Sequence, residues 1–448
     1  MKKTHSLTII WGLLLLALTS CQKVQESVDQ GVDATFAPTA VPLISPTLSL
    51  VSTQLPTPTA GSSATQTPSA TTPTAASTPV PGAPPTATDT PPVPAAVVPT
   101  RIVEPNEPIQ LPPGFGISVY ARGLADPRMM AIGPDGELYV AERNAGRIVR
   151  LPDRDRDGLA DAVEVVADGL RVPSSLVFYV DGSLYVGETT RILRLSDPDG
   201  DGFFQVQKVV VDGLPSGGHS TRTVLFDPDG TYLYVSVGSS CNVCIEEDER
   251  RATIVRYRPD GSEETVYARG LRNAVGIKFR PGTDELWATN NGRDRMGDDQ
   301  PPETVYRIQQ NDDAGWPRCH SGRIVDPEFG EPAACDGILD PIVEMQAHSA
   351  PLGLGFYEGV QFPSSYQGDL FIAFHGSWNR TVPTGYKVVR VPIQDGSPGS
   401  VQDFAVGWLR PDGSRWGRPV DVIAGAEGSL FISDDEGGTI YRVFYSGG

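Results

Sequence analysis

Between residues 121 and 292 the apolar positions recur four times in one order: a Gly-Leu pair, an apolar run, an acidic-Gly turn and a second apolar run. The copies start at Ala121, Ala167, Val211 and Ala268. The second runs are short, β-branched and aromatic: Leu138-Tyr139-Val140, Leu184-Tyr185-Val186 and Tyr232 to Val235. Asp135-Gly136, Asp181-Gly182 and Asp229-Gly230 precede them, which is hairpin chemistry. A third run follows in most copies, at Arg147 to Leu151, Arg191 to Leu195, Thr253 to Tyr257 and Thr304 to Ile308. A fourth closes the unit, as in Val163 to Val166 and Lys208 to Val211. Two looser copies begin at Ser349 and Gly417. Six units of four short strands predict an all-β, six-bladed propeller. Gly116 to Ala121 is the strand expected to complete the last blade. A β-sandwich fits the regular period less well, and an open repeat array would need capping repeats.

Composition divides the chain in three. Residues 1–21 read as an export signal: Lys2 and Lys3, an apolar stretch from Leu7 to Leu18 too short to span a bilayer, then Leu18-Thr19-Ser20-Cys21. That ending resembles a lipobox, which implies cleavage before Cys21 and lipidation of its thiol; an ordinary signal with an incidental Cys is the alternative. Residues 22–105 are rich in Pro, Thr, Ser and Ala and have no strand or helix period, so they read as a disordered, extended tether. The folded domain then covers 106–448, expected on the extracytoplasmic face of a bacterial membrane. A net charge of −19 argues against nucleic acid as a partner.

Four cysteines follow Cys21, and an even number in an exported domain suggests two bridges. The local pairings are Cys241–Cys244 and Cys319–Cys335. Cys241-Asn242-Val243-Cys244 also reads as a redox pair or half a zinc site, although no second thiol pair lies at zinc spacing. A separate metal signal is Asp153, Asp155, Asp157, Asp161 and Glu164 with Gly158, the spacing of an EF-hand loop between strands rather than helices. Asp197, Asp199 and Asp201 begin a second such loop, but Lys208 takes its last position.

In a propeller the loops leading into the innermost strands converge on one mouth of the central channel. His219, Arg272-Asn273, His348 and Arg418 all precede innermost-strand runs. Several Arg on one mouth of an acidic protein point to an anionic ligand. Loop hydrogen bonding is the alternative role for each, and it is the reading taken for His320 and His348.

Gly217-Gly218-His219-Ser220, Ala268 to Asn273, Asn291-Gly292-Arg293-Asp294 and Ala314-Gly315-Trp316-Pro317 resemble, in this order, the successive motifs of soluble quinoprotein glucose and sorbosone dehydrogenases. Val140 to Ile148 resembles their first-blade motif, and His375-Gly376-Ser377-Trp378-Asn379-Arg380 is similar to the sorbosone dehydrogenase branch. The resemblance spans about residues 110–446. It implies pyrroloquinoline quinone (PQQ) and Ca²⁺ as cofactors and a sugar or related alcohol or aldehyde as substrate. His219 would be the general base as hydride moves to the quinone. Arg272 would stabilise the developing oxyanion, with a hydrogen bond from Asn273. Backbone carbonyls of Gly292 and Arg293 would bind the Ca²⁺. Arg418 would pair with a cofactor carboxylate. The family's lysine contact has no counterpart here; His375 or Arg380 occupies that region. Electrons would pass to a cytochrome or a membrane quinone. Two other classes remain: a propeller that binds a glycan or other ligand without catalysis, and a calcium-dependent lactonase-type hydrolase.

Overall fold

The computed structural model describes residues 98–447. The export signal, Cys21 and the tether as far as residue 97 lie outside the described residues. The remainder of the stretch assigned to the tether is attached to the domain: Val103 N donates to Ser118 Oγ at 2.9 Å, and Val119 N donates to the Val103 carbonyl at 2.7 Å.

The described residues form six four-stranded antiparallel sheets. Blade 1 contains Pro127–Ile132, Leu138–Glu142, Arg147–Leu151 and Glu164–Ala167. Blades 2 to 5 cover 173–211, 224–269, 277–345 and 351–406. Blade 6 joins Pro419–Ala424, Leu430–Asp434 and Thr439–Tyr445 to the N-terminal strand Phe115–Arg122, which pairs with Thr439–Tyr445 from Phe115↔Tyr445 to Arg122↔Thr439. The strand expected at 116–121 therefore closes the ring. Phe115 anchors it, with its ring centroid 4.7–5.2 Å from those of Phe362, Tyr366, Phe404 and Tyr445. Among the described residues the only helical segment is the 3₁₀ turn Ser364–Tyr366.

The Gly-Leu repeat has a mechanical cause. Gly123, Gly169, Gly213 and Gly270 have φ between 67 and 78°, a region that glycine enters without steric cost, so the chain can turn from an outer strand back to the channel. The next residue plugs the seam between blades: Leu124, Leu170, Leu214 and Leu271 are all buried. Each donates its N–H to the preceding blade's second hairpin, at Gly438, Gly146, Thr190 and Ala252, at 2.9–3.1 Å. Apolar clusters lie between neighbouring blades, as where Tyr185 and Val211 of blade 2 meet Leu233 and Val255 of blade 3. Both expected disulfides are formed.

Candidate active site

The loops before the innermost strands and the hairpins between second and third strands open on one face. In four blades the last residue of the second strand fastens the loop beside it. Glu142 accepts from Ala125 N at 2.7 Å and Glu188 from Arg171 N at 2.6 Å. Asn290 Oδ1 accepts from Asn273 N at 3.1 Å, and Asp434 from Arg418 N at 2.7 Å. Blade 3 has Val237 in this position and is built differently.

The blade 3 loop hangs on two buried arginines. Arg222 donates to the carbonyls of Pro215, His219 and Thr221 at 2.5–2.9 Å. Arg251 donates to Gly217 and Gly238 at 3.0 and 3.1 Å, and also to Ser216. Among the described residues no carboxylate pairs with either guanidinium. Burial and the neighbouring Arg251 lower the Arg222 pKa to about 10. Two buried, uncompensated cations therefore stand behind His219.

His219 is half-buried, and its Nδ1 lies 3.1 Å from the Ser239 carbonyl and 3.0 Å from Ser239 Oγ. The Ser239 hydroxyl spends its only hydrogen on the Cys241 carbonyl at 2.6 Å. Nδ1 must then be the donor, and Nε2 carries the lone pair. Burial and the Arg272 charge lower the His219 pKa to about 4, which keeps the ring neutral near pH 7. A Cβ on Gly238 would sit 2.5 Å from His219 Cβ and 2.6 Å from Asn273 Oδ1, so the bare glycine lets these two side chains meet.

Arg272 is buried, and its Nη2 pairs with Asp294 at 2.7 Å. Its Nε donates to the Asn242 carbonyl at 3.0 Å, Nη2 to Asn242 Oδ1 at 3.0 Å, and Nη1 to the Asn291 carbonyl at 3.3 Å. One Nη1 hydrogen is left over. Asn273 donates one amide hydrogen to Asn291 Oδ1 at 3.1 Å and keeps the other. Gly292 N donates to buried Glu303 at 2.7 Å, and Ala350 N donates to the same carboxylate at 3.2 Å. Burial raises the Glu303 pKa to about 7. Arg293 turns its side chain to Asp326 and Glu328, so any contribution to the mouth falls to its main chain. His320 joins the same group through Asp326 at 2.8 Å, and His348 bonds the Gly297 carbonyl at 2.8 Å, both the hydrogen-bonding roles expected.

Blades 5, 6 and 1 supply another part of the face. His375 Nε2 donates to the Asp435 carboxylate at 2.9 Å, and Arg128 reaches the same group at 2.5 Å. Burial outweighs Asp435 and lowers the His375 pKa to about 4. Burial alone would raise the Asp435 carboxyl, but His375 and Arg128 hold it down at about 2. Arg418 donates Nε to the His375 carbonyl at 3.1 Å. Its Nη groups have no hydrogen-bond or ion-pair partner among the described residues. Arg380 is tied to Asp298 and, at 2.9 Å, to Asp299. Arg143 of blade 1 reaches Ser220, the neighbour of His219, at 3.0 Å.

The acidic loops lie on the opposite face, between third and fourth strands. The carboxylates of Asp153, Asp155 and Asp157 gather within 4.8 Å of one another, as do those of Asp197, Asp199 and Asp201. Asp161 and Glu164 do not join the first group. Asp161 accepts Arg154 N at 2.7 Å, and Glu164 pairs with Arg150 at 2.7 Å and with Arg154. A channel cavity of about 540 Å³, lined by Lys278 and Asp421 among others, opens at the far ends of the innermost strands and contains none of the predicted catalytic residues. The Cys241–Cys244 bridge uses both sulfurs, which removes the zinc reading of that pair.

Sequence reasoning missed Asn242, Arg222, Arg251 and Glu303. One signal was there: Arg222 lies in the same loop as His219, three positions on. The roles of Asn242 and Glu303 depend on contacts across blades, and those of Arg222 and Arg251 on contacts between the loops of blade 3.

The site is thus a polar, cation-rich mouth of a six-bladed propeller. Residues 103–440 match a domain of unknown function (DUF7133), and the chain belongs to that family. It is 29% identical over 353 residues to an uncharacterized protein of Borreliella burgdorferi, covering 75% of this chain and 91% of that one. It is 25% identical over 415 residues to a pyrroloquinoline quinone-dependent pyranose dehydrogenase of Coprinopsis cinerea, covering 76% of this chain but only 55% of the fungal protein. In fold it is similar to a calcium structure of a Trichoderma reesei protein of carbohydrate-active enzyme family AA12, with a TM-score of 0.68, 22% identity, and coverage of 78% and 100%.

Proposed function

We propose that this protein is a quinoprotein dehydrogenase that oxidises a sugar or a related alcohol or aldehyde, with PQQ and Ca²⁺ at the mouth described above. One observation carries the reading: His219 is held neutral, with its lone pair on Nε2, beside Arg272, Asn273 and two buried unpaired arginines. The named dehydrogenase among the relatives supports it. The donor set suits an anionic, carboxylated group, since among the described residues no carboxylate pairs with Arg222 or Arg251 and the Arg418 Nη groups are uncommitted. When bound, the quinone supplies a carbonyl carbon that accepts hydride. His219 Nε2 takes the proton from the substrate hydroxyl, and Nδ1 stays bonded to Ser239 throughout. The remaining Arg272 and Asn273 N–H groups are available to negative charge developing on oxygen. Glu303 orients the Gly292 backbone, whose carbonyl, with that of Arg293, would hold the Ca²⁺. His375 and Arg380 are second-rank contacts for the cofactor, because Asp435 and Asp298–Asp299 already engage them. The sorbosone-type branch rests on their segment alone.

On this reading a lipid at Cys21 tethers the domain to the outer face of the membrane, where a cytochrome or membrane quinone takes the electrons. Asp153, Asp155 and Asp157 hold a structural Ca²⁺ on the far face. The test is titration of purified protein with PQQ and Ca²⁺, followed through the quinone absorbance, then dye reduction with a panel of sugars. Absence of quinone binding would remove the dehydrogenase reading. Anchoring is read separately: Cys21→Ser is expected to release the protein from the membrane fraction.

A further inference from the structure

The four-residue ring closed by Cys241 and Cys244 stands behind both principal side chains of the site. Asn242, inside the ring, accepts from Arg272 Nε at 3.0 Å and from Trp316 Nε1 at 3.2 Å on its carbonyl. Its Oδ1 accepts from Arg272 Nη2 at 3.0 Å and from Asp294 N at 2.8 Å. Its Nδ2 donates to the Asp294 carbonyl at 3.1 Å. Asn242 thus grips one edge of the Arg272 guanidinium, through Nε and Nη2, and also places the residue, Asp294, whose carboxylate pairs with it. The Cys241 carbonyl, at the other end of the ring, accepts the Ser239 hydroxyl at 2.6 Å and thereby sets the His219 tautomer. The ring is near the rim: both cysteines are half-buried and Ile245 beside them is 57% exposed, whereas Cys319 of the second bridge is fully buried.

We propose that the Cys241–Cys244 bridge is a redox-sensitive clip, and that Asn242 is the positioning residue through which it acts on Arg272. The kinetic part rests on the dehydrogenase reading; the structural part does not. A dithiol reductant supplies two electrons and two protons: the S–S bond breaks, each sulfur becomes a thiol, and the reductant leaves as its own disulfide. The ring opens, Asn242 loses its fixed geometry, and Arg272 and Ser239 lose partners together. In the second bridge Cys319 is fully buried but Cys335 is half-buried, so alkylation of Cys335 reports separately whether that bridge has opened.

The experiment uses the full-length protein in oxidised, dithiothreitol-reduced and re-oxidised forms. Arg272 is labelled with phenylglyoxal and quantified by peptide mass spectrometry, with no quinone present. Reduction is expected to speed Arg272 labelling about tenfold, the scale of one lost hydrogen bond to a charged group, and re-oxidation to reverse it. Asn242→Ala, with the bridge intact, should show the same fast labelling, and Asn242→Asp, which keeps the oxygen acceptor, should recover part of the protection. In parallel, the quinone-loaded reduced protein should lose about tenfold in kcat with little change in KM and a shifted pH profile. Arg272 labelling that stays within about twofold of the oxidised wild type, both on reduction and in Asn242→Ala, overturns the clip. Failure of every form to bind the quinone sinks the dehydrogenase reading instead, and the labelling still decides the clip. Should a Cys241→Ser/Cys244→Ser double variant not fold, the reversible reduction of the native chain decides alone.

Discussion

Blades 1 and 2 and blades 3 and 4 share one frame and diverge in what they do with it. In the first pair the second-to-third-strand hairpin is short. Its Glu binds the adjacent loop amide and an Arg of the same hairpin: Glu142 with Arg147, Glu188 with Arg191. Each of these buried carboxylates is balanced within its own hairpin. In blades 3 and 4 the carboxylate gives way to Val237 and Asn290, and the hairpins lengthen to carry the Cys241–Cys244 ring and the segment through Asp294. In blade 3 the fastening is taken over by Arg222 and Arg251; in blade 4 Asn290 keeps it, and Asn242 adds a hold on Arg272. The strands stabilise all four blades, but among the described residues only the second pair buries guanidinium groups with no carboxylate partner and leaves a free imidazole nitrogen at the mouth.

This contrast can be broken deliberately. The largest expected effect is His219→Ala, which should lower kcat by about 10²–10⁴ while quinone binding measured by absorbance persists. Unchanged turnover would take His219 out of the mechanism. Arg272→Lys keeps the charge but loses the planar fork held by Asn242 and Asp294; a fall in kcat of about 10²–10³ is expected, and a loss confined to KM would contradict the assigned role. On the quiet side, Glu188→Ala leaves the Arg171 amide and Arg191 without their partner. Denaturant unfolding should show a loss of about 1–3 kcal/mol with kcat unchanged. An activity loss there would show that the two pairs of blades are not functionally distinct.

Acid sensitivity is a subtler discriminator. The His219 pKa is about 4 in the folded protein against an ordinary value of 6.5. Between those values the unfolded chain binds more protons, so stability falls as pH drops through that window. Glu303 works oppositely: its folded pKa of about 7 lies above the ordinary 4.5, so its share of stability falls as pH rises between them. Unfolding curves at pH 5 and 7 should therefore show a shallower acid loss for His219→Gln and a steeper one for Glu303→Gln. The smallest effect is expected on the far face, where chelation should lower the melting temperature of the wild type by a few degrees, about 1 kcal/mol, and that of Asp155→Asn by less.

The Gly-Leu register made the blade order readable because it has a mechanical cause, a positive-φ glycine followed by a seam-plugging leucine. His219, Arg272 and Asn273 were readable as departures from that register. The acidic loop was half readable: the spacing correctly groups Asp153, Asp155 and Asp157, whereas Glu164 sits where Arg150 and Arg154 reach it first. His375 and Arg380 were readable only as parts of a motif, and their carboxylate partners come from blades 6 and 4. Asn242 could not be found from spacing at all, since its role consists of bonds to residues 30 and 52 positions away.

By itself the sequence determined the repeat, the closing strand, the two bridges and the loops that face the mouth, because these follow from local periodicity and from which residues tolerate a turn. Only the tertiary structure decided the His219 tautomer, the unpaired charges of Arg222 and Arg251, and the Asn242 cradle. Each of those depends on burial and on hydrogen-bond partners brought together by closure of the ring, and neither is encoded in the neighbours along the chain.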